Sequence, residues 1–186
     1  MARYSAVLDA CVLVPIALAD TLLRVAERGL YRPLWSEQLL GEARDAICEI
    51  HPTADAARID RRFATMDAAF EDARIEAHPE VEIEVHLPDL DDRHVVATAV
   101  VGRADAIVTM NVKDFPIEVM ESLAIEVVHP DDFLLNQLDL APRLVVDIVM
   151  EQAAQTTSPK LTPIDLASRL ARAGVPKFSD EIRRLV

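Results

Sequence analysis

The sequence predicts an α/β fold with a central parallel sheet. Short apolar segments that fit buried strands alternate with longer segments that fit helices, and this alternation is typical of βαβ units. The opening segment 4–9 is apolar and too short to be a helix, so it fits a fully buried strand. After residue 141 the strand patterns stop. We therefore expect an α/β domain over residues 1–140 and a helical C-terminal extension over residues 141–186.

Each element can be placed by its periodicity and its terminal residues. Ser36 is a suitable N-cap for the second helix, and Gly29 and Gly102 are expected to end the first and fourth helices. The predicted strands or extended segments are 4–9, 30–35, 81–85, 106–109 and 125–128. The predicted helices are 18–28, 37–50, 54–76, 92–101, 117–123, one from 129–131 through 138, and three in the extension, 143–155, 163–173 and 179–185.

Composition narrows the class of protein. Half of the 186 residues are apolar, which is enough for a sizeable core. The two cysteines, Cys11 and Cys48, form no CxxC pair, so a zinc site or a disulfide framework is disfavoured and a reducing cytosol is favoured. There is no stretch of 18 apolar residues and no signal-peptide layout. We expect a soluble cytoplasmic protein without a membrane association.

The charge is acidic overall but uneven along the chain. A net charge of −13 argues against non-specific nucleic-acid binding, which depends on basic residues that neutralise phosphates. Residues 160–186 nevertheless carry six basic and three acidic groups, a local charge of +3. The acidic remainder fits either carboxylates that hold a metal or plain solubility. The extension fits packing by its apolar stripe, or RNA contacts through Lys177, Arg183 and Arg184.

Acidic residues occur at the ends of predicted elements. Asp9 ends the first strand, Asp92 begins a helix, and Asp114 follows the strand 106–109. In a parallel sheet the carboxyl ends of the strands form one edge, where ligands bind. Carboxylates that meet there repel one another and favour a cation such as Mg²⁺ or Mn²⁺, which prefer oxygen ligands.

Each of these residues also has a structural alternative. Asp9 and Asp92 could cap the helices that follow them, and Asp89 and Asp91 compete for the capping role beside Asp92. Glu42 lies near the apolar face of its helix, where an acid needs a partner or a cation, but it could also reach solvent from the helix flank. His94, one turn into its helix, is more readily explained as a packed or solvated residue than as a catalyst.

Other acid-based α/β folds fit the sequence less well. A haloacid-dehalogenase phosphatase needs Asp two residues after its first Asp, where this chain has Cys11. A response-regulator receiver needs an acidic pair before its strand-end phosphoacceptor; Lys113 could serve as its lysine, but the pair is missing. Four glycines in the whole chain cannot supply the phosphate-binding loop of a P-loop or Rossmann fold.

Four segments stand out in order along the chain: Val7-Leu8-Asp9, Trp35-Ser36 through Glu42, Asp92-x-x-Val95-Val96-Ala97-x-Ala99, and Ile107-Val108-Thr109-x-Asn111-x-x-Asp114-Phe115. Together they resemble the PIN-domain ribonucleases, a family that includes the toxins of VapBC-type toxin–antitoxin systems. The resemblance covers residues 4–134 in order and spacing, and the segments 9–13 and 30–36 look like a subgroup with a helical C-terminal extension. The implied fold is a three-layer α/β/α domain with a central parallel sheet.

The resemblance implies an Mg²⁺-dependent endoribonuclease, with Mn²⁺ as an alternative ion and a metal-activated water as the nucleophile. Asp9 and Asp92 match the principal metal ligands, and Glu42 matches the helix-borne acid. Thr109 matches a supporting hydroxyl. Asn111 stands where the family often has Asp, and Asp114 matches the later acid of members that carry Asn.

The resemblance also implies partners: an RNA substrate, a small antitoxin that holds the enzyme inactive, and a homodimer as one arrangement. Cys11 stands where Ser, Thr or Asn is commoner, so a hydrogen bond that supports the site is expected to be lost or weakened. Asn111 and Cys11 favour the alternative, a PIN-fold RNA- or protein-binding module with impaired catalysis.

Overall fold

The computed structural model describes residues 4–76, 87 and 89–186 of the chain. This part divides into two compact units, residues 1–14 with 31–127 and residues 15–30 with 128–186. The second unit thus contains a segment from near the N-terminus as well as the C-terminal helices. The domain boundary expected after residue 140 stays a prediction, since compact units are not a test of independent folding.

The first unit contains the sheet, and the predicted α/β class with a parallel sheet is confirmed. Four strands lie in the order β2-β1-β3-β4, and β1 pairs in parallel with β2 and with β3. Ala6 of β1 lies opposite Pro33 on one side and Ala106 on the other. The strands are β1 (Ser5–Leu8), β2 (Arg32–Leu34), β3 (Ala106–Val108) and β4 (Glu126–Val128), the last reaching the first residue of the second unit.

Strand order determines where a ligand can approach the sheet. The strand that follows β1 in the chain, β2, lies on one side of β1, and the strand that follows β3, β4, lies on the far side of β3. The chain therefore leaves the carboxyl ends of β1 and β3 in opposite directions. Such a switch in strand order opens a crevice at the carboxyl ends of the strands. Asp9 follows β1 directly, and its backbone N–H donates to the carbonyl of Val108 at the end of β3 over 3.1 Å.

Helices of the first unit carry the other acids. Helix α5 packs against β1, β2 and β3, and Ser36 caps α3 by accepting from the N–H of Leu39 over 3.3 Å, as predicted. The helices of this unit are α1 (Ala10–Leu13), α3 (Glu37–Ile50), α4 (Ala56–Ala69), α5 (Arg93–Gly102) and α6 (Ile117–Ser122), with a 3₁₀ turn at Val112–Asp114. The single-turn helix α1 was not predicted, and the predicted strand 81–85 lies outside the described residues.

One predicted helix end in this unit is wrong and another is right for a reason that the sequence did not give. The helix predicted over 54–76 stops at Ala69, because residues 73–75 run beside Trp35 and form two backbone hydrogen bonds with it, of 3.0 and 2.8 Å. Helix α5 ends at Gly102, as predicted, but it is Arg103 that takes the left-handed turn, with φ of 50°. A Cβ on Gly102 would lie 3.0 Å from Leu34, so close packing explains this glycine.

The helices and strands that lie wholly within the described residues of the second unit are all helices. Helix α2 packs against α8, where the hydroxyl of Thr21 donates to Gln152 over 2.7 Å. The predicted apolar stripe of the extension is buried at Val145, Ile148 and Leu166. The helices are α2 (Ile16–Glu27), α7 (Pro130–Leu140), α8 (Pro142–Gln155), α9 (Pro163–Arg172) and α10 (Pro176–Leu185).

A buried acid ties two helices of this unit together. Asp131, in the first turn of α7, is only 2% exposed. Its carboxylate accepts the backbone N–H groups of Phe178 over 2.8 Å and of Lys177 over 3.1 Å, both in the first turn of α10. Those N–H groups have no partner within their own helix, and a carboxylate also complements the positive end of the helix dipole.

Candidate metal site

Asp9 is a buried acid with one carboxylate oxygen fixed by the protein. Its side chain is 7% exposed, and Oδ2 accepts the Thr109 hydroxyl over 2.6 Å and the Cys11 thiol over 3.1 Å. Oδ1 receives no hydrogen bond from the part of the chain that the structure describes. Asp9 also occupies the N-cap position of α1 but makes no side-chain capping bond, so the capping alternative is not realised. One oxygen is therefore held and the other is available to a ligand.

Thr109, which the sequence predicts to support the site, donates its hydroxyl proton to Asp9. Its Oγ1 accepts the backbone N–H of Asn111 over 3.0 Å, which leaves the hydroxyl proton for the carboxylate of Asp9. Asn111 enters this network through its backbone, and its carbonyl also accepts the N–H of Asp114 over 2.9 Å. The short segment after β3 thus fixes both the hydroxyl and the position of Asp114.

Cys11 stands where a hydroxyl or an amide is commoner, and the hydrogen bond expected to be lost or weakened there is present as a bond from the thiol to Asp9. Its sulfur accepts the backbone N–H of Met110 over 3.3 Å, and its thiol donates to Asp9. Burial, followed by the charge of Asp9, raises the pKa of the Cys11 thiol to about 12. The sulfur therefore stays protonated near neutral pH and remains a donor, though a weak one.

Asp92 interacts electrostatically with the other predicted acids. It precedes α5 without making a side-chain capping bond. Burial raises the pKa of Asp92 to about 6, with further contributions from the charges of Asp9, Asp89 and Asp114 and an opposing one from His94. Asp92 thus lies within electrostatic reach of Asp9 and Asp114, and also of Asp89, which the sequence interpretation had considered only as a cap.

Glu42 reaches this region through a histidine. Glu42 is exposed, and its Oε2 lies 3.1 Å from Nε2 of His94, which is itself only 4% exposed. Burial acts to raise the pKa of Glu42, but His94 and Gln38 together outweigh it and the pKa is lowered. Burial acts to lower the pKa of His94, but Glu42, the Asp91 carbonyl and the charge of Asp9 together outweigh it and the pKa is raised. Sequence reasoning set His94 aside, although a lone histidine in an otherwise apolar helix signals a need for a polar partner.

A divalent cation fits the donor set, with waters completing its shell. Within residues 4–76, 87 and 89–186, no group of three or more His, Cys, Asp or Glu side chains is arranged to hold a metal ion. Asp9 nevertheless offers an oxygen that receives no hydrogen bond from the described residues, and the charges of Asp9, Asp89 and Asp114 disfavour the ionised form of Asp92, which is a situation that a cation relieves. Magnesium commonly binds one or two carboxylates and retains several waters, so two protein ligands suffice.

The three basic residues predicted to contact RNA already have acidic partners in the second unit. Lys177 Nζ lies 2.8 Å from Asp132, Arg183 lies 2.6 Å from Asp180, and Arg184 pairs with Glu181. These are exposed pairs, which contribute little to stability and can exchange partners. Their RNA contacts stay a prediction. We refer to Lys177, Arg183 and Arg184 as the tail cations.

Comparisons with known proteins agree with this architecture. A family model described as PIN domain matches residues 5–113, and one described as VapC50 C-terminal domain matches residues 130–184. A protein of Mycobacterium tuberculosis named "Putative ribonuclease VapC50" is 42% identical over 94 residues. That match covers 50% of this chain and 55% of the relative, so about half of each chain is aligned. No solved structure matches.

The family model covers more than half of the chain, and the resemblance drawn from the four sequence segments is confirmed. No helix in the described residues is long and apolar enough to cross a membrane. The chain belongs to the PIN-domain family, in a VapC-like form with a C-terminal helical extension.

Proposed function

We propose that this protein is an Mg²⁺-dependent endoribonuclease, the toxin of a VapBC-type pair. The observation that carries the proposal is Asp9, which lies at the switch in strand order with one oxygen fixed by Thr109 and the other without a hydrogen bond from the described residues. Membership of the PIN-domain family and the relative's ribonuclease name support the same activity.

In this proposal Asp9 and Asp92 hold the metal, with Mn²⁺ as a substitute ion. When bound, the cation supplies an acidified water and neutralises charge that develops on the phosphate. Thr109 and Cys11 keep the carboxylate of Asp9 in one orientation. A fixed ligand loses less conformational freedom when the ion binds, so this support favours metal affinity.

Glu42 and Asp114 act as the remaining catalytic acids. Each carboxylate orients water near the scissile phosphate or contributes to a second ion. The acidic surroundings of Asp92 make the site repulsive toward RNA phosphates until a cation binds, so metal and substrate binding are coupled. Cleavage should therefore depend steeply on metal concentration.

The proposed partners follow from the same family. RNA is the substrate, a small antitoxin inhibits the enzyme, and a homodimer is one arrangement that the family allows. We place the protein in the cytoplasm, in agreement with two cysteines that form no disulfide. The tail cations are the proposed phosphate contacts outside the acidic site.

One test separates this function from its alternative. The full chain is incubated with a mixed RNA pool in Mg²⁺, in EDTA, and in EDTA followed by excess Mg²⁺. We expect cleavage only when free Mg²⁺ is present, and no cleavage by Asp9→Asn under any condition. RNA binding without cleavage in every condition would instead favour the catalytically impaired binding module, which Asn111 in place of an acid also favours.

A further inference from the structure

His94 links the helix that follows Asp92 to the helix that carries Glu42. It lies in the first turn of α5, two residues after Asp92, and its side chain is buried. Its neighbours along α5 are apolar or small, from Val95 through Val101. A polar ring in such a helix is costly unless its nitrogens have partners. The contacts of both nitrogens therefore indicate what the ring does.

One nitrogen fixes the orientation of the ring. Nδ1 lies 2.6 Å from the backbone carbonyl oxygen of Asp91. A carbonyl can only accept, so Nδ1 carries a proton and donates it. With this bond in place the ring cannot turn over without leaving its buried Nδ1 without this hydrogen bond, which is unfavourable. Nε2 is thereby directed away from Asp91.

The other nitrogen meets Glu42. Nε2 lies 3.1 Å from Oε2 of Glu42, but the ring N–H direction is not aligned with that oxygen, and Nε2 has no well-aligned hydrogen bond within the described residues. The contact is therefore primarily electrostatic, and a small movement of the Glu42 side chain would align it. Among the residues that the structure describes, His94 is the only buried residue that contacts the carboxylate of Glu42.

Without His94 the Glu42 side chain would be free to turn toward solvent. Its other described contact is Gln38, one turn earlier on α3, which donates to Oε1 over 3.2 Å at the exposed surface. Glutamate has several rotatable bonds, and restricting them has an entropic cost that a surface hydrogen bond of this kind scarcely offsets. A buried partner at a fixed position is needed to keep the carboxylate beside α5.

We propose that His94 is the positioning residue for Glu42, holding its carboxylate against the first turn of α5, the helix that follows Asp92, through the buried Nε2. His94 acts through Glu42 and does not itself contact metal or RNA. The part of the proposal that concerns hydrolysis rests on the proposed ribonuclease function; the pairing of His94 with Glu42 does not. This arrangement explains a buried histidine that the sequence pattern alone assigns to packing.

The first experiment detects the contact between His94 and Glu42 without measuring RNA cleavage. Long-range ¹H–¹⁵N spectra of the full chain are recorded for the wild type and for Glu42→Gln, in EDTA. We expect the Nε2 resonance of His94 to shift in the variant, because its charged neighbour is removed. The resonances of exposed His51 serve as the internal control and should not move. An unchanged His94 resonance would overturn the proposal.

The second experiment compares two substitutions of His94 whose amide groups reach the positions of different ring nitrogens. The amide of His94→Gln can extend to the position of Nε2, whereas that of His94→Asn reaches only the position of Nδ1. Supporting residues of this kind typically cost about 10–100-fold in activity or metal affinity when removed. We expect a loss of that order in RNA cleavage for His94→Asn and recovery of most of it for His94→Gln. His51→Asn, the same change at the end of α3, should have no effect.

A double-mutant cycle supplies the decisive comparison. If His94 acts through Glu42, the variant His94→Asn/Glu42→Gln should be no slower than Glu42→Gln alone. Losses that multiply, or a His94→Gln variant as slow as His94→Asn, would contradict the positioning role. If the His94 variants do not fold, the spectra of Glu42→Gln decide. If wild-type protein cleaves no RNA, the ribonuclease proposal fails, while the spectra still test the pairing.

Discussion

Replacing Asp92 by Asn should make the metal-free protein more stable while abolishing its activity. Burial and the charges of Asp9, Asp89 and Asp114 raise the pKa of Asp92 from its ordinary 3.8 to about 6. A shift of that size corresponds to about 3 kcal/mol between the two protonation states. Asp92 is partly exposed, and solvent screening reduces the usable value to about 1 kcal/mol. Asparagine keeps the shape of the side chain and removes the repelled charge.

The sign of the effect with pH follows from the raised pKa. Below about pH 4, Asp92 is protonated in both the folded and unfolded states of the wild type, so Asp92→Asn should change little. As the pH rises through about 6, the folded wild type is progressively penalised, and the advantage of the variant grows to its full value. At pH 7.5 in EDTA we expect a free energy of unfolding higher by about 1 kcal/mol.

Urea unfolding with and without Mg²⁺ measures both parts of this prediction. Saturating metal should stabilise the wild type, by about 2.7 kcal/mol at 100 times Kd, and should not stabilise Asp92→Asn. The matched control is Asp72→Asn, an exposed acid of the same unit, which should show neither effect. A destabilised Asp92→Asn protein in EDTA at pH 7.5, or one that Mg²⁺ stabilises as much as the wild type, would refute the acid-cluster reasoning.

Three further predictions concern Asp114, Cys11 and the tail cations. Asp114→Ala should lower cleavage more than Asn111→Ala at matched Mg²⁺, because an amide supplies no charge and Asp114 acts on Asp92; the reverse order would reject the assignment. Cys11→Ser should retain Mn²⁺ affinity, and Cys11→Ala should weaken it by about 10-fold, as measured by electron paramagnetic resonance of free Mn²⁺; equal affinities would remove Cys11 from the site. Neutralising the tail cations should weaken RNA binding and reduce the slope of log affinity against log salt by up to about 0.7 for each lost contact with single-stranded RNA. An unchanged slope would leave these residues a structural role.

The sequence was sufficient to predict the sheet and the helices that carry the acids, because these features depend on local patterns. The strand before Asp9 is uniformly apolar, and Ser36 is a strong capping residue, so both helix α3 and strand β1 were found nearly to the residue. The end of α4 was missed because residues 73–75 are held by backbone bonds to Trp35, a contact distant in sequence. Local propensity contains no information about such a partner.

In the candidate site, too, local patterns could be predicted and contacts between residues distant in sequence could not. Asp9, Asp92 and Asp114 could be proposed from their positions at element ends, since a parallel sheet brings such ends together. The role of His94 could not, because it depends on a 3.1 Å contact with Glu42, which is 52 positions earlier in the chain. The thiol bond of Cys11 to Asp9 likewise depends on how α1 turns directly after β1, and that single-turn helix had no sequence signal.

The central claim is that Asp9 and Asp92 share one divalent cation, and anomalous diffraction tests it most directly. Crystals of the full chain are soaked in Mn²⁺, and difference maps are calculated at the manganese edge. We predict one strong peak within coordination distance of the carboxylates of Asp9 and Asp92, absent from crystals of Asp9→Asn. A peak elsewhere, or no peak in crystals whose dissolved protein cleaves RNA in Mn²⁺, would contradict the account.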